Sequence, residues 1–204
     1  MVIGVDKGQK AGKHVLKHNM LIDRGNELRY VPLPYGDYIQ ITPEIATLVE
    51  GKMEKKGKTE KKDLHGIIPV SVDTKRNIEE LYSDIISDHK RFRNECILAH
   101  ENGCKLYILV ENTDGVTDLC NFHKWKNEEG YKRYSYMKHR AFKKGWTPPK
   151  PPVPNASLVK SMKTMTEKYG VEFLFCKPEE AAEMVEKLLT TGGSGDGEKA
   201  DVQQ

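Results

Sequence analysis

The chain is 204 residues long, 37% hydrophobic and 31% charged, with 33 basic against 30 acidic residues and a net charge of +3. That length suits one α/β domain with a sizeable core and room for an insertion, and the near balance of charge makes the distribution of basic residues more informative than their sum. No stretch is long and apolar enough to span a bilayer, and Met1–Asp6 shows no signal-peptide pattern. The four cysteines, Cys96, Cys104, Cys120 and Cys176, have no paired spacing, so a reducing, intracellular protein without a membrane partner is expected, in bacterial or phage-infected cytoplasm or in a nucleus.

"MVIGVD" reads as a first strand. "LRYVPLPYGDYIQI" continues as strand with a turn at Pro34–Gly36, giving an antiparallel β start. "EGKMEKKGKTEKKD" is almost wholly charged and reads as an exposed, flexible hairpin tip. "GIIPVSVDTK" returns as a strand of β-branched residues. From Asn77 the period becomes helical, with Ile78, Leu81, Tyr82, Ile85 and Ile86 on one face and Asn77 with Glu80 as a capping pair. A second helix is expected from about Asp88 to Asn102, stopped by Gly103, followed by the buried strand "KLYILVE". The segment 112–155 is polar, aromatic-rich and closes on the stiff "TPPKPPVPN". Asn155 then caps a helix to Tyr169, "VEFLFC" is a strand, and Pro178 opens a helix to Leu189. The organisation expected is a domain of residues 1–111 and 156–190, an insertion of 112–155, and a disordered tail of 191–204. The fold class is α/β, a central mixed β-sheet flanked by helices.

Alternate residues of a strand share a face, so Asp73 and Lys75 project together, with Thr74 opposite. Asp37 follows a glycine at the end of an earlier strand, where a glycine lets backbone and ligand come close. If the two strands are neighbours, Asp37 and Asp73 converge. Two carboxylates at one spot suit Mg²⁺ or Mn²⁺, which keeps waters and takes substrate phosphate besides. Glu79, in the first turn of the next helix, is placed to be a further ligand, and Lys75 brings a positive charge to stabilise the reacting phosphate. The other reading of the same residues is a surface ion pair followed by acids that favour a helix N-terminus. The order G-D, then D-x-K on an apolar strand, then an acid four residues on at a capped helix, favours the metal site. Cys120-x-x-His123 has no second pair at the spacing a closed zinc site needs.

The order "GDY…VDTKRNIE" resembles the nuclease domain of the XPF-type structure-specific endonucleases, within the PD-(D/E)XK restriction-endonuclease-like superfamily. Gly36–Asp37 matches the family's G-D. Asp73-Thr74-Lys75 takes its E-R-K place, with Asp for Glu and Thr for Arg, and Glu79 takes the place of the final acid. "IGVD" is similar to the family's first strand, so Asp6 matches its terminal Asp, although Lys7-Gly8-Gln9 stands where Arg-Glu usually follows. "HKRFRNE" is similar to the G-R-F/L-x-x-Q stretch, with Arg91 at the arginine and Glu95 near the glutamine. The resemblance implies a restriction-endonuclease-like fold and a metal-dependent DNA endonuclease acting on branched, flapped or structured DNA. It implies catalytic Asp37, Asp73, Lys75 and Glu79, a metal held by Asp37, Asp73, Glu79 and Asp6, and DNA contact at Arg91. Two other outcomes stay open: an inactive nuclease fold that binds DNA or a partner, and a Holliday-junction resolvase or restriction-type enzyme of the same superfamily. There is no room for a tandem helix–hairpin–helix domain, so a stand-alone catalytic domain is expected, working as a homodimer or with a partner subunit.

The insertion "NFHKWKNEEGYKRYSYMKHRAFKKGW" interleaves cations with rings and carries both tryptophans. Lys132, Arg133, Lys138 and Arg140 are expected to meet DNA phosphates, and rings can stack on unpaired bases. The tryptophans are expected to pack a small core.

Overall fold

Six strands form one mixed sheet in the order β2-β1-β3-β4-β5-β6 in the computed structural model, which describes residues 1–9, 12 and 14–192. The chain runs β1 (Val2–Asp6), α1 (Val15–Asp23), β2 (Glu27–Val31), β3 (Tyr38–Gln40), α2 (Pro43–Lys56), β4 (Val70–Lys75), α3 (Ile78–Ile86) and α4 (His89–Glu101). It continues through β5 (Lys105–Glu111), α5 (Glu128–Lys144), α6 (Asn155–Tyr169), β6 (Glu172–Cys176) and α7 (Ala181–Thr191). β1 is parallel to β2, and β4, β5 and β6 are parallel in turn, while β3 is antiparallel to both β1 and β4. The α/β class with a mixed sheet is therefore as expected. No helix among the described residues is long and apolar enough to cross a membrane.

Strand alternation sorts the core into two layers. Val5, Tyr38, Val72 and Leu109 meet Leu21 of α1 and Ala182, Val185 and Leu189 of α7. On the other face Ile39, Ile108 and Val110 pack with Leu81 of α3, Phe92 and Cys96 of α4, and Leu158 and Met162 of α6. Leu81 is fully buried, which contributes about 2 kcal/mol on the scale of a buried leucine. In β4 this alternation turns Val72 towards α1 and α7 and sends Asp73 and Lys75 beneath α3 and α4.

Four expectations are corrected. The β start is not purely antiparallel, because α1 crosses between β1 and β2 and makes them parallel, as such pairs require a long connection. Residues 50–63 are not a hairpin tip. Thr42 caps α2 by accepting from Ile45 N, Pro43 opens it, and Gly57 ends it in the left-handed region at φ 68°. A salt bridge of 2.6 Å from Lys52 to Asp63 then ties the following turn back onto α2. Asn155 does not cap α6 with its side chain, which donates to the carbonyls of Phe122 and Trp125 and so ties the start of α6 to the segment before α5. The expected tail falls partly on α7, which extends to Thr191, and residues 193–204 lie outside the described residues.

Candidate active site

β1 and β4 are both antiparallel to β3, which lies between them, so they end at the edge where β3 starts. Asp6 therefore closes β1, Asp73 and Lys75 close β4, and Asp37 precedes β3, the edge where open α/β sheets hold their ligands. These residues line one cavity of about 550 Å³ with Asp84, Arg91, Glu95, Gln9 and His14.

Asp37 and Asp73 are brought together. Tyr38 pairs with Val72 and Ile39 with Ser71, and continuing that register one residue sets Asp37 opposite Asp73. Thr74 fixes the orientation of Asp37: its backbone N–H and its hydroxyl both donate to Asp37 Oδ2, at 2.9 and 2.7 Å. The residue standing in the family's arginine place is thus a latch for one carboxylate. Gly36 has φ 68°, and a Cβ there would lie 2.1 Å from Ser71 Oγ. The glycine of G-D is required by this close approach of two strands rather than by approach of a ligand.

Lys75 is not on a solvated edge. Asp73, Lys75 and Asp84 are 5%, 6% and 6% exposed. Lys75 Nζ lies 2.8 Å from Asp73 Oδ2, 2.6 Å from Asp84 Oδ2 and 5.0 Å from the centre of the Phe92 ring. Arg91 Nη2 donates to Asp84 Oδ1 at 2.8 Å, and Arg91 Nη1 is 3.7 Å from Glu95 Oε2. Glu95 Oε1 accepts from Gly36 N at 2.9 Å. A chain of charges therefore runs from Asp73 through Lys75, Asp84, Arg91 and Glu95 back to the residue preceding Asp37.

Burial works against the Lys75 charge, but Asp73 and Asp84 outweigh it and raise its pKa above the ordinary lysine value. Burial also raises the Asp73 carboxyl, to about 8; Lys75 opposes that shift, and Glu95 and Asp37 add to it. The folded protein without metal thus holds the Asp73 proton more tightly than the unfolded chain, whose carboxyl titrates near 3.8. Its stability is expected to fall as pH rises from about 4 to about 8. Asp73→Asn removes that dependence, so in EDTA the variant gains on wild type across this interval. Urea unfolding at several pH values checks it, and parallel stability profiles for the two proteins would contradict it.

Asp73 Oδ2 is buried against Lys75 Nζ, 2.8 Å away. A buried carboxylate beside a second carboxylate, Asp37, on one cavity fits a hard dication. Among the described residues no three His, Cys, Asp or Glu are grouped to enclose a metal.

The remaining expected residues are placed as follows. Asp6 lines the cavity, but its Oδ1 accepts from Leu33 N at 3.0 Å and its Oδ2 is 3.9 Å from Lys61 Nζ. Glu79 lies outside the cavity lining and accepts from Trp125 Nε1 at 3.0 Å, while the adjacent Glu80 faces the cavity. One residue is about 100° of helix rotation, which sends the two acids in different directions. Arg91 sits on the rim with its side chain 61% exposed. Lys132, Arg133, Lys138 and Arg140 are exposed on α5, with Lys132 paired to Glu129 at 2.9 Å. Asp84 went unread in the sequence, although it was marked there as a carboxylate on the apolar stripe of α3, beside Leu81 and Ile85.

No family model matches the chain, and no curated protein matches it. Solved structures do. XPF from Aeropyrum pernix matches with a TM-score of 0.53 and 13% identity, over 100% of this chain and 67% of that one. XPF from Aeropyrum pernix in complex with DNA matches with a TM-score of 0.51 and 14% identity, over 93% of this chain and 63% of that one. This chain thus shares its fold with XPF from Aeropyrum pernix, of whose two chains it spans 67% and 63%.

Proposed function

We infer that the protein is a divalent-metal-dependent endonuclease that hydrolyses phosphodiester bonds in branched, flapped or otherwise structured DNA. The observation that carries this reading is the juxtaposition of Asp37 and the buried Asp73 with a buried Lys75, on one cavity at the sheet edge. The likeness to XPF supports it, as does the fact that one of the matching structures is a DNA complex.

Mg²⁺ or Mn²⁺ held by Asp37 and Asp73 would supply Lewis-acid polarisation of the scissile phosphate. Thr74 keeps Asp37 turned towards that position. Lys75 holds a full positive charge where the phosphate gains negative charge, and Asp84 prevents it from swinging away. Arg91, exposed on the rim, meets a flanking phosphate. Water adds at phosphorus and the bond to the 3′ oxygen breaks, leaving 5′-phosphate and 3′-hydroxyl ends. A second copy of the chain or a partner subunit adds DNA affinity.

The test is incubation with duplex, flap, fork and four-way DNAs in Mg²⁺, Mn²⁺ or EDTA. Cleavage near branch points with metal is expected. Preference for the four-way junction would favour the resolvase reading, and binding without any cleavage would favour the inactive-fold reading, to which the placement of Glu79 outside the cavity contributes. The insertion has its own test. Replacing Lys132, Arg133, Lys138 and Arg140 together with Ala is expected to weaken DNA binding and to flatten its salt dependence, because fewer counterions are released. An unchanged salt slope would remove α5 from the DNA interface.

A further inference from the structure

The two tryptophans part company in the structure. Trp125 is 1% exposed and packs against Phe122 and Tyr82, whereas Trp146 is 55% exposed. Its position is set by the end of α5. Gly145 takes φ 64°, its N–H donates to the Phe142 carbonyl, and Trp146 N donates to the Ala141 carbonyl at 2.9 Å. This paired pattern is the Schellman motif, which folds the residue after the glycine back over the last helical turn. The indole thereby lies 4.7 Å from Lys144 Nζ and 5.8 Å from the Arg140 guanidinium. Phe142, on the same final turn, is 88% exposed.

α5 buries only Ala141. At 3.6 residues per turn, Lys132, Arg133, Tyr136, Arg140, Lys143 and Lys144 share one face. The helix has no acid after Glu129, and among the described residues Arg133, Lys138, Arg140, Lys143 and Lys144 have no acidic partner. An interfacial membrane helix separates its rings from its cations. Here Tyr136 lies within the cationic face and Trp146 sits against two cations, which suits a ligand that offers flat rings and phosphates along one strand.

We propose that the C-terminal end of α5 is a binding site for an unpaired strand of nucleic acid, in which a base stacks on Trp146 while Arg140, Lys143 and Lys144 meet the flanking phosphates. The site rests on the reading of a DNA-acting protein and adds the part of the substrate it holds: the single-stranded arm of a flap or fork.

The experiment titrates a (dT)₁₅ oligonucleotide and a blunt hairpin duplex into wild type, Trp146→Ala and Trp146→Phe, all in EDTA, following tryptophan emission and affinity. Wild-type emission is expected to be quenched by (dT)₁₅, since Trp125 is enclosed. Trp146→Ala is expected to lose the quench and to bind (dT)₁₅ roughly tenfold more weakly, the scale of one stacked base, with Trp146→Phe intermediate and duplex affinity little changed. Equal (dT)₁₅ affinity in wild type and Trp146→Ala would overturn the site, as would an equal loss on the duplex. An emission shift with phosphatidylserine vesicles but none with (dT)₁₅, or a change from dimer to monomer in Trp146→Ala, would also overturn it. Because no cleavage is measured, a protein that binds (dT)₁₅ through Trp146 yet cuts nothing would end the nuclease reading and leave this site standing.

Discussion

Lys75→Met is expected to cut structured DNA at least about 10²-fold more slowly than wild type, the scale of removing one group that stabilises charge in the transition state. The reason is placement: Lys75 Nζ is held 2.8 Å from Asp73 and 2.6 Å from Asp84, so its charge sits at the cavity and does not wander. A solvated strand lysine would have been replaceable at a cost of about 0–1 kcal/mol. The buried lysine is different. Its removal leaves two carboxylates without their common partner, and about 3–5 kcal/mol of stability is expected to go. That loss shrinks as pH falls below about 8, because protonating Asp73 relieves it. Single-turnover cleavage below the variant's unfolding midpoint, together with urea unfolding at about pH 6 and about pH 9, separates the two effects. A wild-type rate in the folded variant would make Lys75 structural only.

Asp84→Ala is the second large expectation. Asp84 is 6% exposed and bridges Lys75 and Arg91, touching neither of the carboxylates assigned to the metal. Its loss leaves Lys75 with Asp73 and Arg91 with a longer contact to Glu95, so the stability cost is smaller, about 2–3 kcal/mol. Lys75 then closes on Asp73 alone, and Arg91 loses its anchor. Cleavage is expected to fall about tenfold, at saturating DNA as well as at low DNA, since positioning on the charge-bearing groups is what is lost. Asp84→Asn, which keeps an acceptor for one of the two cations, is expected to recover part of the stability and part of the rate. If Asp84→Ala cuts at the wild-type rate, the chain of charges from Asp73 to Glu95 serves folding alone.

The core of the site was legible because strand geometry is strict. Side chains two apart share a face, so Asp73 and Lys75 could be paired from their spacing, and the G-D before a strand pointed to Asp37. Whether that pair was wet or dry was not legible. Its burial comes from α3 and α4 folding over β4, and the third member, Asp84, belongs to a helix whose phase decides which acid enters. The same phase turned Glu79 away to Trp125 Nε1 and left Glu80 at the cavity. α1 escaped notice because Val15, Leu16 and Ile22 are exposed and blur its apolar stripe. α2 hid beneath its charges, although Thr42-Pro43 and Gly57 are ordinary start and stop signals. Trp125 and Trp146 sit in equally basic sequence, and packing against Phe122 and Tyr82 encloses the first while the left-handed turn at Gly145 leaves the second open.

Whether Asp37, Asp73 and Lys75 form a metal-dependent cutting centre is decided by single-turnover cleavage of an end-labelled flap DNA by wild type and Asp73→Asn, with Mg²⁺, Mn²⁺ or EDTA, at matched DNA occupancy. Incision by wild type only with metal is expected, and none by Asp73→Asn although it binds the flap as tightly as wild type or more tightly, a negative charge near phosphate having been removed. Incision by Asp73→Asn at the wild-type rate, or incision by wild type that EDTA leaves unchanged, would rule such a centre out.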